Sequence, residues 1–122
     1  MTRYAPLAVA EQYVGRALSY VLFDHLLYTP YELDRAVIAF ALEHTKWQED
    51  LTREEQATLA EDLRVGDARG GADPDDSDHR THVYYWAEAA IDYLNEHYTF
   101  GRAWWGHDGT AGAFGCWVDP DN

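Results

Sequence analysis

Between two stretches that can each bury an apolar face runs Gly66 to Asp78, GDARGGADPDDSD, with three glycines, one proline and five aspartates and nothing to place in a core. Such a tract resists both helix and strand: glycine adds backbone entropy, proline removes a donor, and neighbouring carboxylates repel. It predicts a flexible acidic loop over 66–78. Three helical patterns precede it, and one helix and a hairpin follow, in the order α-α-α-loop-α-β-β. At 122 residues the chain has room for one well-packed core, so 1–122 is read as a single domain containing that loop. The expected fold class is α+β, about four helices packed with a C-terminal antiparallel β-hairpin.

Two helix starts are written locally. Thr29-Pro30-Tyr31-Glu32 combines an N-cap threonine, a proline at the first helical position and a glutamate at N3, so orphan amides find oxygen partners. From there Leu33, Ala36, Val37, Phe40, Ala41 and His44 share one face, predicting a helix to about Trp47. Thr52-Arg53-Glu54-Glu55 repeats the capping box before a thin stripe of Leu59, Ala60 and Leu63. That helix is read as short and peripheral, stopping at Gly66.

Upstream, Leu7, Ala10, Val14, Ala17, Leu18 and Val21 fall at helical spacing and predict a first helix over roughly 7–27, although Ser19 to Phe23 also suits a strand. After the loop, Val83, Trp86, Ala87, Ala90, Ile91 and Leu94 recur at helical spacing, so a central helix is expected over roughly 79–97.

From Tyr98 to Val118, two β-favouring runs flank Gly106-His107-Asp108-Gly109-Thr110-Ala111-Gly112, which contains the Asp-Gly turn signal. In the second arm Phe114, Cys116 and Val118 alternate with Gly115 and Trp117, which turns the first set toward the last helix and leaves Trp117 at least partly outside.

The net charge of −13, from 22 acidic and nine basic residues, repels phosphate, so direct binding of nucleic acid or an anionic membrane is not expected, and partners should be neutral or basic. A lone cysteine, Cys116, forms no internal disulfide, and the apolar stretch around 17–23 is too short for a membrane span. The expected location is the cytoplasm.

The run Ala89-Ala90-Ile91-Asp92-Tyr93-Leu94-Asn95-Glu96-His97, followed by Gly106-His107-Asp108-Gly109 and Phe114-Gly115-Cys116-Trp117, resembles the C-terminal ends of small acidic bacteriophage or prophage accessory proteins. The resemblance covers about a quarter of the chain. It implies a phage-type protein acting in the cytoplasm of a bacterial host, in a group where inhibitors of host defence, anti-CRISPR proteins among them, are frequent. It implies no catalytic residues.

Candidate chemistry is thin. His79 and His82, three residues apart on a helix, could join Asp76, Asp78 or His107 around a metal, but thiolate pairs and a tight histidine signature are missing, and a solvated helix start explains them as well. Asp73, Asp75 and Asp76 lack the spacing of a calcium loop. Cys116 with His107 as base is the minimal nucleophile pair, but Cys116 shares a face with Phe114 and Val118, where a thiol is inert. No glycine-rich phosphate loop, nucleophile elbow or metalloprotease motif occurs. No catalytic residue, cofactor or metal ligand is assigned.

Two surfaces remain as binding candidates. Glu43, Glu49, Asp50, Glu54, Glu55, Glu61 and Asp62 run through the second and third helices, where carboxylates on successive turns can imitate backbone phosphates, although Arg53 and Arg64 interrupt the row and Lys46 precedes it. The aromatic hairpin offers Trp104, Trp105 and Trp117, because these and Phe100 and Phe114 cannot all be interior if the arms alternate.

The resulting expectation is a non-catalytic phage-type accessory protein that binds and inhibits a host protein, a defence or nucleic-acid-processing complex with a basic surface, through acidic and aromatic surfaces. The alternatives are a DNA mimic occupying a basic groove, a self-associating structural domain such as a homodimer, and a small metal-dependent enzyme.

Overall fold

In the computed structural model, which describes residues 6–16, 18–24, 28–68, 77–99, 103–107 and 113–118, helix α1 covers Pro6–Gly15, strand β1 Tyr20–Phe23 and helix α2 Pro30–His44. The single turn α3 covers Trp47–Asp50, helix α4 Arg53–Ala68, helix α5 Ser77–His97, and strands β2 and β3 Ala103–His107 and Phe114–Val118. The strands make one antiparallel sheet in the order β1-β3-β2. The observed class is the expected one, α+β, with helices packed against a C-terminal antiparallel strand pair.

The capping boxes act as their sequences dictate. Thr29 Oγ1 accepts the Glu32 amide while the Glu32 carboxylate accepts the Thr29 amide at 2.9 Å. Thr52 and Glu55 do the same at 3.0 and 2.8 Å. Helix α2 stops at His44, short of Trp47, because Thr45 turns to an extended backbone, returns its hydroxyl to the Ala41 carbonyl, and then accepts the Trp47 amide. The turn α3 that follows buries Trp47 edge-on against Trp86.

Three expectations need correction. The first helix ends at Gly15, and residues 20–23 form a strand. Leu7, Ala10 and Val14 do form an apolar stripe, but Leu18 and Val21, expected to continue it, are exposed. Tyr20 and Val21 find backbone partners on β3, where a strand satisfies the ladder and a continued helix cannot. Helix α4 is neither short nor ended by Gly66; it runs 16 residues to Ala68, and α5 begins at Ser77, so both ends of the expected acidic loop belong to helices. Residues 69–76 of that loop lie outside the described residues.

The core gathers where α2 crosses α5 above the inner face of the sheet. Leu33, Val37, Ile38, Phe40 and Ala41 of α2 meet Val83, Ala87, Ala90, Ile91 and Leu94 of α5, with Leu59 of α4 closing one side and Ala10 of α1 also buried. From the sheet come Trp105, Phe114 and Cys116. Each fully buried side chain of this size contributes about 1.5–3 kcal/mol through removal from water.

Helix α5 also closes an edge of the sheet. Asn95 Nδ2 donates to the Trp105 carbonyl at 2.8 Å and Asn95 Oδ1 accepts the Trp105 amide at 2.7 Å, so one amide side chain stands in for a neighbouring strand. The Trp105 indole then donates to the Tyr98 carbonyl at 2.9 Å. An edge covered in this way no longer presents that backbone pair to another chain.

Candidate functional site

Alternation along β2 and β3 decides which aromatics reach solvent. Trp105 is opposite Cys116 and His107 opposite Phe114, all on the inner face; Trp104 is opposite Trp117 and Gly106 opposite Gly115, on the outer face. Trp105 is 1% exposed, so its assignment to an aromatic binding surface is corrected: its ring stacks on Phe114 and tilts against Phe40 as part of the core. Trp104 is 43% exposed and Trp117 half-buried, their ring centroids 6.5 Å apart. Phe100 lies outside the described residues.

The two outer tryptophans rest on glycines. A Cβ added at Gly106 would lie 2.8 Å from Cζ3 of Trp104, so the indole lies over bare backbone there. The Trp117 indole is anchored by donating to the Gly106 carbonyl at 2.8 Å. On β1, Val21 pairs with Gly115 and therefore shares the outer face, where it is 48% exposed. A side chain at Gly115 would collide with the Tyr20 carbonyl oxygen, so the close approach of β1 requires glycine. The product is a shallow apolar face of two indoles and a valine on an open sheet.

The acidic row is less uniform than its sequence suggests. Asp62 is turned inward, 16% exposed, accepting the Trp86 indole N–H at 2.8 Å with His82 Nδ1 3.7 Å away. Glu61 is gripped at both oxygens by Arg64, whose hydrogen bond holds the carboxyl below its usual range. Asp50 accepts the Tyr93 hydroxyl, which pushes that phenol up, and Glu55 is engaged in its capping box. Glu49 and Glu54 are exposed. Glu43 lines a concavity between α2 and β1 instead, beside Leu22 and Phe23.

His79 and His82 do not converge. His79 is buried and bonded to the Tyr31 hydroxyl at 2.7 Å, whereas His82 is exposed on the side of Asp62. Among the described residues no group of three or more His, Cys, Asp or Glu side chains is placed to hold a metal ion. Asp73, Asp75 and Asp76 lie outside the described residues. Cys116 is fully buried, and burial pushes its thiol up to about 11, which keeps the sulfur protonated at neutral pH; His107 faces Phe114 across the strand pair.

Sequence reasoning missed one titratable group. Asp34 of α2 is raised from the ordinary 3.8 to about 6, first by burial, with His107 pulling it down and Glu88 pushing it up. These three come from α2, β2 and α5, and no spacing in the chain relates them. It also missed Val21 as part of the outer face of the sheet. That signal, a β-branched residue in a run compatible with a strand, was present but outvoted by helical periodicity.

No helix among the described residues is long and apolar enough to cross a membrane. Comparison with known protein families, curated proteins and solved structures finds no match to this chain.

Proposed function

We propose that this chain is a non-catalytic accessory protein, of phage type, that binds and inhibits a host protein through the outer face of its sheet, with its negative charge selecting a basic partner. The observation that carries the reading is the Trp104–Trp117 pair, held over Gly106 with Trp104 43% exposed. Exposing a large indole to water is costly, and tryptophan is enriched among residues that dominate binding energy. The indole faces can also take arginine, whose guanidinium stacks on aromatic rings, and this fits a partner attracted by a net charge of −13.

The DNA-mimic reading has weaker support. It needs carboxylates aimed outward in a row, yet Asp62 points into the α4–α5 junction and Glu61 is neutralised by Arg64.

The test is affinity capture from lysate of a bacterial host, run in parallel with the unmodified chain, Trp104→Ala, and the double charge reversal Glu49→Lys/Glu54→Lys. A partner captured by the unmodified chain, lost with Trp104→Ala, and inhibited when purified chain is added back is the expected result. Capture that survives Trp104→Ala but fails with the charge reversal would transfer the function to the acidic helices. Recovery of the chain alone, with a concentration-dependent sedimentation coefficient, would replace inhibition by self-association.

A further inference from the structure

Helix α2 and strand β1 leave a gap between them. A concavity of about 300 Å³ is lined by Leu22, Phe23, Ala36, Ala39 and Phe40 together with Glu43 and His44. The gap exists because the two alanines, one helical turn apart, present only methyl groups where α2 passes β1. Phe40 is buried and Phe23 packs edge-on against it, which makes the lining partly aromatic. The Glu43 side chain is 67% exposed, and the largely buried His44 has its Nε2 3.8 Å from that carboxylate.

We infer that this concavity receives a single lysine or arginine side chain of the protein partner, its hydrocarbon stem on the alanines and phenylalanines and its cationic head at Glu43. The inference rests on the protein-binding reading above. Its volume lies at the lower bound of ligand sites and has room for one long side chain. Among the described residues that line it, five are apolar and Glu43 and His44, adjacent on α2, are polar, which matches the amphipathic build of lysine and arginine. A free amino acid or other zwitterion suits the site less well, because its own carboxylate would be brought toward Glu43 on a chain of net charge −13. Inside a polypeptide that second charge is absent.

The experiment is an NMR titration of the full chain, following backbone and methyl signals of Leu22, Ala36 and Ala39. The probes are Nα-acetyl-lysine N-methylamide and Nα-acetyl-arginine N-methylamide, with Nα-acetyl-norleucine N-methylamide as the uncharged counterpart and n-butylammonium as the free amine. Saturable shifts with at least one basic probe, and binding several-fold weaker with norleucine, are expected. Glu43→Gln should weaken that binding by roughly 2- to 5-fold, the range of a solvent-exposed ion pair. Ala39→Leu, at an exposed helical position where leucine is well tolerated, should fill the gap and abolish the shifts while the amide spectrum stays folded.

Equal shifts with norleucine, shifts with n-butylammonium alone, or no shifts at all would overturn the inference. Titration of Trp104→Ala separates the two readings. If the basic probe still binds this variant while partner capture is unaffected by the same substitution, the assignment of the sheet face fails and the α2–β1 site stands.

Discussion

The two faces of the sheet are built from adjacent residues with opposite fates. Trp105 is enclosed by Phe40, Phe114 and Cys116 and has both its backbone groups clamped by Asn95; Trp104, one residue earlier, lies on glycine backbone with nearly half its surface in water. The inner face therefore holds the fold together, and the outer face is available for contact with another molecule. Since both residues are tryptophans in one strand, substitutions there separate stability from binding with unusual directness.

The largest effect is expected inside. Trp105→Ala should cost about 3–5 kcal/mol, from lost transfer free energy and the cavity left behind, read as a lowered midpoint in urea unfolding. A loss under about 1 kcal/mol would mean that the inner face is not the core. Next comes the seam between β1 and β3. Gly115→Ala forces a methyl group into the Tyr20 backbone and should cost about 2–3 kcal/mol, whereas Gly106→Ala meets only a movable indole edge and should cost less. Reversal of that order in thermal unfolding would contradict the register of β1.

The clamp on the sheet edge is the third contrast. Asn95→Ala leaves the Trp105 N–H and C=O without their side-chain partner, at a cost of about 1–3 kcal/mol, and amide exchange at Trp105 should accelerate more than at Trp104.

Smaller still is the effect at Asp34, where α2 meets the end of the inner face. Its raised pKa means the folded state binds the proton more tightly than the unfolded chain, so its contribution to stability is fully present below 3.8 and is lost as pH rises through about 6. Asp34→Asn should then stabilise the protein at pH 7 by on the order of 1 kcal/mol, discounted for the group's partial solvent exposure, with the gain vanishing near pH 4. Unfolding curves at the two pH values measure it, and an equal gain at both would remove Asp34 as the cause. Trp104→Ala should cost several-fold less stability than Trp105→Ala while abolishing partner capture.

How much of this was legible beforehand varied with the range of the interaction. The capping boxes at Thr29 and Thr52 and the apolar stripe of α5 were readable because each depends on residues three or four apart. The candidate site was half legible. Alternation along β3 placed Trp117 outside from sequence, but Trp104 and Trp105 could not be told apart, since their faces depend on the register of β2 against β3. The acidic row looked continuous in sequence because the Trp86 and Tyr93 partners of Asp62 and Asp50 are 24 and 43 residues away.

By itself the sequence determined where α2 and α4 begin, that α5 would be central, that a hairpin would close the chain, and that the surface would be strongly acidic. Only the tertiary structure decided that residues 20–23 join the sheet, that Trp105 belongs to the core and Trp104 to solvent, and that burial raises the pKa of Asp34. The reason is the reach of the forces. Caps and stripes act within a helical turn, while the sheet is assembled from segments as distant as Ser19 and Val118, whose hydroxyl and amide meet at 3.0 Å across 99 positions of chain.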